Sequence, residues 1–143
     1  LRRENEGETV LRDALKPSPR DAGLHHALGL TLVRLKRLDE ALEELAASVT
    51  IEPGSARYSY VYAVALQSAG RTADGLTILK KSLARNPDDR DTLLALANFS
   101  REVGDFDAAL EYAGSLVRMA PNDQTLARFI RELQEERAKL RPQ

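Results

Sequence analysis

Apolar positions recur along this chain with a helical period. Residues spaced i, i+3, i+4 and i+7 form stripes such as Leu11, Ala14 and Leu15 near the start and Leu126, Phe129, Ile130 and Leu133 near the end. That spacing predicts amphipathic α-helices. Between these ends, pairs of apolar stretches are separated by short polar breaks at Lys36 to Asp39, Gly70 to Thr72 and Gly104 to Phe106. Each pair reads as a helical hairpin. Asp21, Ser55, Asp88 or Asp89, and Asn122 or Asp123 stand where the first helices begin, and Asp39, Thr72 and Asp105 where the second helices begin. All are residue types that cap helix N-termini.

The hairpins repeat. Pro19, Pro53, Pro87 and Pro121 are spaced 34 residues apart, and proline cannot continue a helix. Other columns keep the same period: Leu28, Tyr62 and Leu96; Leu32, Leu66 and Ser100; and two columns of small residues, Gly29, Ala63 and Ala97, then Ala41, Gly75 and Ala109. Small side chains let neighbouring helices approach closely. A fixed period of this size is the signature of a solenoid, in which each unit buries its apolar face against the next.

With these columns and this period the chain resembles the tetratricopeptide repeat, and the resemblance spans nearly its whole length. It implies three units at 22–55, 56–89 and 90–123. Residues 1–21 then hold the second helix of a truncated repeat, and 124–143 a C-terminal capping helix. The fold it implies is all-α, a right-handed superhelical solenoid of antiparallel helix hairpins. Three departures stand out. The Trp usual near the start of the first helix is replaced by His25, Ser59 and Leu93. The columns holding Leu45 with Ser48 and Leu79 with Ser82 hold Ala113 with Leu116 in the third unit, a volume-conserving swap. The chain also opens on Leu1, and the Leu11 stripe lacks a first-helix partner, so a piece of a longer array is expected.

The resemblance also implies a concave face lined by the first helix of each unit. Helical placement puts His26, Leu30, Val33 and Arg34 there from the first unit, and Arg57, Tyr60, Val64 and Gln67 from the second. Leu94, Asn98 and Arg101 come from the third, and Phe129 from the last helix. An apolar strip edged by donors suits a peptide or a partner helix, with Tyr60 as first anchor and Arg34 and Arg101 next. Tyr58 and Tyr62 share another face and are expected to pack between helices. Chaperone-tail binders of this family clamp a terminal carboxylate with Lys, Arg and Asn. The corresponding columns here hold His26, Leu30, Val61, Asp91 and Ala95, so no such clamp is implied.

Composition narrows the chemistry. Lys and Arg number 21 against 22 Asp and Glu, a net charge of −1, which lacks the basic excess of a general nucleic-acid binder. Mean hydropathy is −0.39, and no long apolar run suggests a membrane span. The absence of Cys excludes disulfides, thiolate metal sites and a Cys nucleophile from this sequence. His25 and His26 are the only histidines. Asp21 precedes His25 by four residues, yet a metal would need a further ligand. The reading favoured here is that Asp21 caps the helix and His25 packs. Asn98-Phe99-Ser100 matches a glycosylation sequon but falls inside a helix, where it reads as chance. No phosphate loop or nucleophile elbow is present, so neither cofactor nor catalytic residue is expected.

Three functions follow. The first is a protein-interaction scaffold holding a peptide or partner helix in the groove, without catalysis of its own. The second is a regulatory or substrate-presenting arm of a larger enzyme, such as the arms of sugar-to-protein glycosyltransferases. The third is a structural element that self-associates through its N-terminal edge. Residues 57–71 resemble repeats at the carboxyl ends of large bacterial proteins, which leaves the compartment open between cytoplasm and periplasm. The partner's identity is not legible.

Overall fold

The structure, a computed structural model, describes residues 1–140. The last three positions of the expected capping helix, 141–143, lie outside the described residues. Among the described residues eight α-helices follow one another: α1 (Arg2–Leu15), α2 (Ala22–Arg34), α3 (Leu38–Ile51), α4 (Ala56–Ser68), α5 (Thr72–Arg85), α6 (Arg90–Glu102), α7 (Phe106–Met119) and α8 (Gln124–Leu140). Each packs on its chain neighbours, and α4 also meets α6 across the intervening α5. Stacked hairpins in which each element touches mainly its neighbours make a solenoid.

Caps explain where the first helices of the hairpins begin. Asp21, Ser55 and Asp89 each accept from the backbone N–H three residues on, at 2.9, 3.2 and 3.0 Å. Asp123 accepts from the N–H groups of Thr125 and Leu126. Of the alternatives the sequence left open, Asp89 and Asp123 are therefore the caps. The second helices differ from expectation. Asp105 caps α7 through the Ala108 N–H, but α3 and α5 start from Arg37 and Arg71 with no side-chain cap. Asp39 lies in the first turn of α3, and the Thr72 hydroxyl turns away to donate to Glu102 at 3.0 Å.

The reason lies in the preceding turn. Lys36, Gly70 and Gly104, again 34 apart, have φ of 60°, 77° and 83°. Each is the left-handed residue of a C-terminal stop in which two N–H groups bond back to the helix just ended. Arg37, Arg71 and Asp105 donate to Leu32, Leu66 and Ser100 at 2.8–2.9 Å. This stop sets the next helix off so abruptly that the residue at its start is part of both motifs. An acidic side chain at the first position after the stop can cap, as Asp105 does; an arginine cannot.

The core is a row of leucines. Leu28, Leu32, Leu45, Leu66, Leu79, Leu96, Leu116 and Leu133 are each at most 2% exposed. Burying a leucine side chain contributes roughly 1.5–3 kcal/mol. Leu11 and Leu15 of α1 pack on Leu28 and Leu32, although no α1 residue is itself fully buried. Glu8 fastens α1 further, bonding Arg12 and Arg37 at 2.9 and 2.6 Å; both guanidiniums hold its carboxyl below the usual range. At the other end Ala113 is fully buried and packs in one cluster with Leu133 of α8, while Leu116 packs with Leu93 and Leu126. The reversed Ala113/Leu116 order thus matches what α8 brings to the interface.

Candidate functional site

Helices α4, α6 and α8 border three neighbouring hollows. The first, about 240 Å³, lies between Arg57, Tyr60, Val61 and Asp91. The second, about 260 Å³, is lined by Tyr60, Val64, Gln67, Leu94 and Asn98. The third, about 480 Å³, runs from Asp91, Leu94 and Asn98 to Arg128, Phe129 and Glu132. They share residues: Asp91 borders all three, and Leu94 and Asn98 border two. Helix spacings of about 8–10 Å make the trough from α4 to α8 roughly 20 Å long. Tyr60 is 37% exposed and Leu94 42%, so its floor offers large apolar side chains to solvent.

Seven of the twelve residues expected on the concave face border these hollows, and they differ in what they can offer. Tyr60, Val64, Leu94 and Phe129 supply the apolar strip. Leu30, Val33 and Arg34 lie on α2, outside these hollows; Val33 is exposed and Leu30 half-buried. Several expected donors are already spent within the chain. Gln67 donates to Glu102 at 2.6 Å. Arg101 clasps Glu136, lies 3.9 Å from Glu132, and rests over the Phe129 ring at 5.8 Å. Arg34 pairs with Glu4 at 3.6 Å and donates to the Thr31 hydroxyl. Asn98 donates to the Leu94 carbonyl one turn back. The C-terminal side of the groove is therefore laced shut by its own polar groups. Among the described residues Arg57, Arg90 and Arg128, on the opposite side, have no carboxylate within 4 Å.

His26 is not a lining residue. It is 6% exposed, stacked on Tyr58 with ring centroids 4.6 Å apart. One period on, Tyr58's place is taken by Thr92, whose hydroxyl turns to Asp89 at 2.6 Å. Tyr58 covers His26; Thr92 leaves Tyr60 uncovered. Tyr62 packs against Leu42, Leu45 and Leu66, so both outer tyrosines of the triplet serve packing.

His25 is half-buried and fully engaged. Nδ1 meets Glu44 at 2.6 Å and Nε2 meets the Pro19 carbonyl at 2.8 Å. Burial opposes its charge, but these two acceptors outweigh that and raise its pKa. No three His, Asp or Glu side chains among the described residues gather closely enough to hold a metal ion. No described helix is long and apolar enough to cross a membrane.

Two tetratricopeptide-repeat family models match the sequence, over residues 5–56 and 66–133. The chain belongs to the tetratricopeptide-repeat family. Its fold is accordingly similar to solved repeat proteins. A tetratricopeptide-repeat protein from Parabacteroides merdae superposes with a TM-score of 0.83 at 18% identity, covering 92% of this chain and 53% of that one. MamA from Desulfovibrio magneticus superposes at 0.78 with 14% identity, covering 95% and 78%. In sequence the chain is 24% identical over 127 residues to the mouse (Mus musculus) interferon-induced protein with tetratricopeptide repeats 3. The match covers 87% of this chain and 32% of that relative, so the chain spans about a third of its length. Membership makes the chain a helical scaffold for protein–protein interaction, the general role of such repeats.

Proposed function

We propose that this scaffold holds a peptide or partner helix in the trough across α4, α6 and α8, and that it performs no catalysis of its own. One observation carries the reading: three hollows meet at Asp91, two of them sharing Leu94 and Asn98, beside exposed Tyr60 and Leu94. Apolar and aromatic anchors set in hollows, with polar groups at the rim, are where interface energy concentrates. The open side bears Arg57, Arg90 and Arg128, which supply donors not already committed. Arg34 and Arg101 are left out as leading anchors, because their carboxylate partners lie within the chain.

A displayed library of random twelve-residue peptides tests this. Peptides selected on the wild-type protein should lose at least about 30-fold in affinity for Tyr60→Ala and for Leu94→Ala, the scale of a hot spot. Lys80→Ala, on the exposed side of α5, should leave affinity unchanged, and far-ultraviolet circular dichroism should show equal helicity in all three. Unaltered binding to both groove variants would remove the trough as the binding surface.

A further inference from the structure

Two adjacent histidines on α2 face opposite situations. His25 joins α2 to the hairpin's own second helix, with an acceptor for each ring nitrogen. His26 lies against the next hairpin, stacked on Tyr58 of α4, and neither of its ring nitrogens has a hydrogen-bond partner among the described residues. A neutral imidazole tolerates such a place better than an imidazolium, because a buried charge without an acceptor is costly.

In this arrangement neither ring nitrogen of His26 has an acceptor to bond on protonation. From α4, Tyr58 stacks on the ring and Arg57 is the charged group that acts on it. From the turn before α2, Asp21 is taken by the Leu24 N–H. From α3, Glu44 is taken by His25. From α1, Leu11 and Leu15 meet α2 through Leu28 and Leu32. Burial first, then Arg57, lowers the pKa of His26. The carboxylates near α2 are thus committed, and the charge that reaches His26 from α4 is of the same sign as an imidazolium.

We propose that the α2–α4 contact is an acid-sensitive joint: protonating His26 frees α2 from α4, while His25 keeps α2 fastened to α3 and α3 keeps its own packing on α4. Acid thereby acts on one side of α2 only. The response is local to the boundary between hairpins and does not depend on what the trough binds. In a solenoid each interface opens against its neighbour alone, so a single weakened contact becomes a hinge.

Having two histidines makes the test direct. Their ring C–H resonances should separate on titration. One, belonging to His25, should titrate above pH 6.5; the other should stay neutral until the joint opens. An opened imidazole has a pKa of about 6.5, so opening should increase about tenfold between pH 7.5 and 5.5. Amide hydrogen exchange, corrected for its intrinsic pH dependence, should show that loss of protection in α2 and α4 and not in α6 to α8. His26→Leu should abolish it. A His26 signal that titrates near pH 6.5 without loss of protection would overturn the proposal, as would the same loss in His26→Leu. The wild-type titration decides the matter even if the variant does not fold.

Discussion

Gly75 lies directly against Phe99: a Cβ at position 75 would fall 2.8 Å from Phe99 Cε2 and 3.1 Å from the Ala63 carbonyl oxygen. Phe99 is 3% exposed and cannot swing into solvent. Gly75→Ala should therefore destabilise the protein. The overpacking costs about 1–3 kcal/mol, partly offset by about 1 kcal/mol of helix propensity. Chemical denaturation should show a net loss of up to about 2 kcal/mol. Gly114, inside α7, is the control, since its nearest neighbour would be Arg118 Nη1 at 3.8 Å. Gly114→Ala should gain about 0.5–1 kcal/mol.

Lys36 occupies the left-handed position that Gly70 and Gly104 hold one and two periods later. A side chain there costs roughly 1 kcal/mol. Lys36→Gly should raise stability by about 0.5–1 kcal/mol. Gly70→Ala and Gly104→Ala should each lower it by about 1 kcal/mol, although a Cβ at either position meets nothing within 4 Å. Equal stability for Gly70→Ala and wild type would remove the backbone explanation.

Arg101 joins α6 to α8 through Glu136 while a third of its side chain stays in solvent. Exposed ion pairs contribute about 0–1 kcal/mol, so Arg101→Ala should cost no more than that at low salt. The cost should shrink at 1 M salt as the charges are screened. Exchange protection in α8 is the sensitive readout, and loss confined to α8 is the expected pattern.

The His25–Glu44 contact should carry its own pH dependence. The folded pKa of His25 is raised, so the stability it contributes is fully present below pH 6.5 and is lost as pH rises through the folded value. Glu44→Gln should accordingly cost more at pH 5.5 than at pH 8.5, measured by urea midpoints at each pH. A cost that grows with pH would show that His25 is not held as the imidazolium.

The period alone determined much of this protein. Eight helices, their stops at Lys36, Gly70 and Gly104, the caps at Asp21, Ser55 and Asp105, and the close-approach columns all follow from local spacing, because a helix and its ends are set by residues within a few positions of one another. Column position also located Tyr60, Val64, Leu94 and Phe129 in one trough. What it could not decide is which of those positions remain available. His26 shares a column with Tyr60 and Leu94, yet Tyr58, 32 residues on, covers it. Arg101 and Gln67 look like free donors until Glu136 and Glu102, each 35 residues away, take them. Those partners are brought together only by stacking one hairpin on the next, and the bulk or brevity of a single side chain, Tyr58 against Thr92, settles whether the residue beneath it is core or surface.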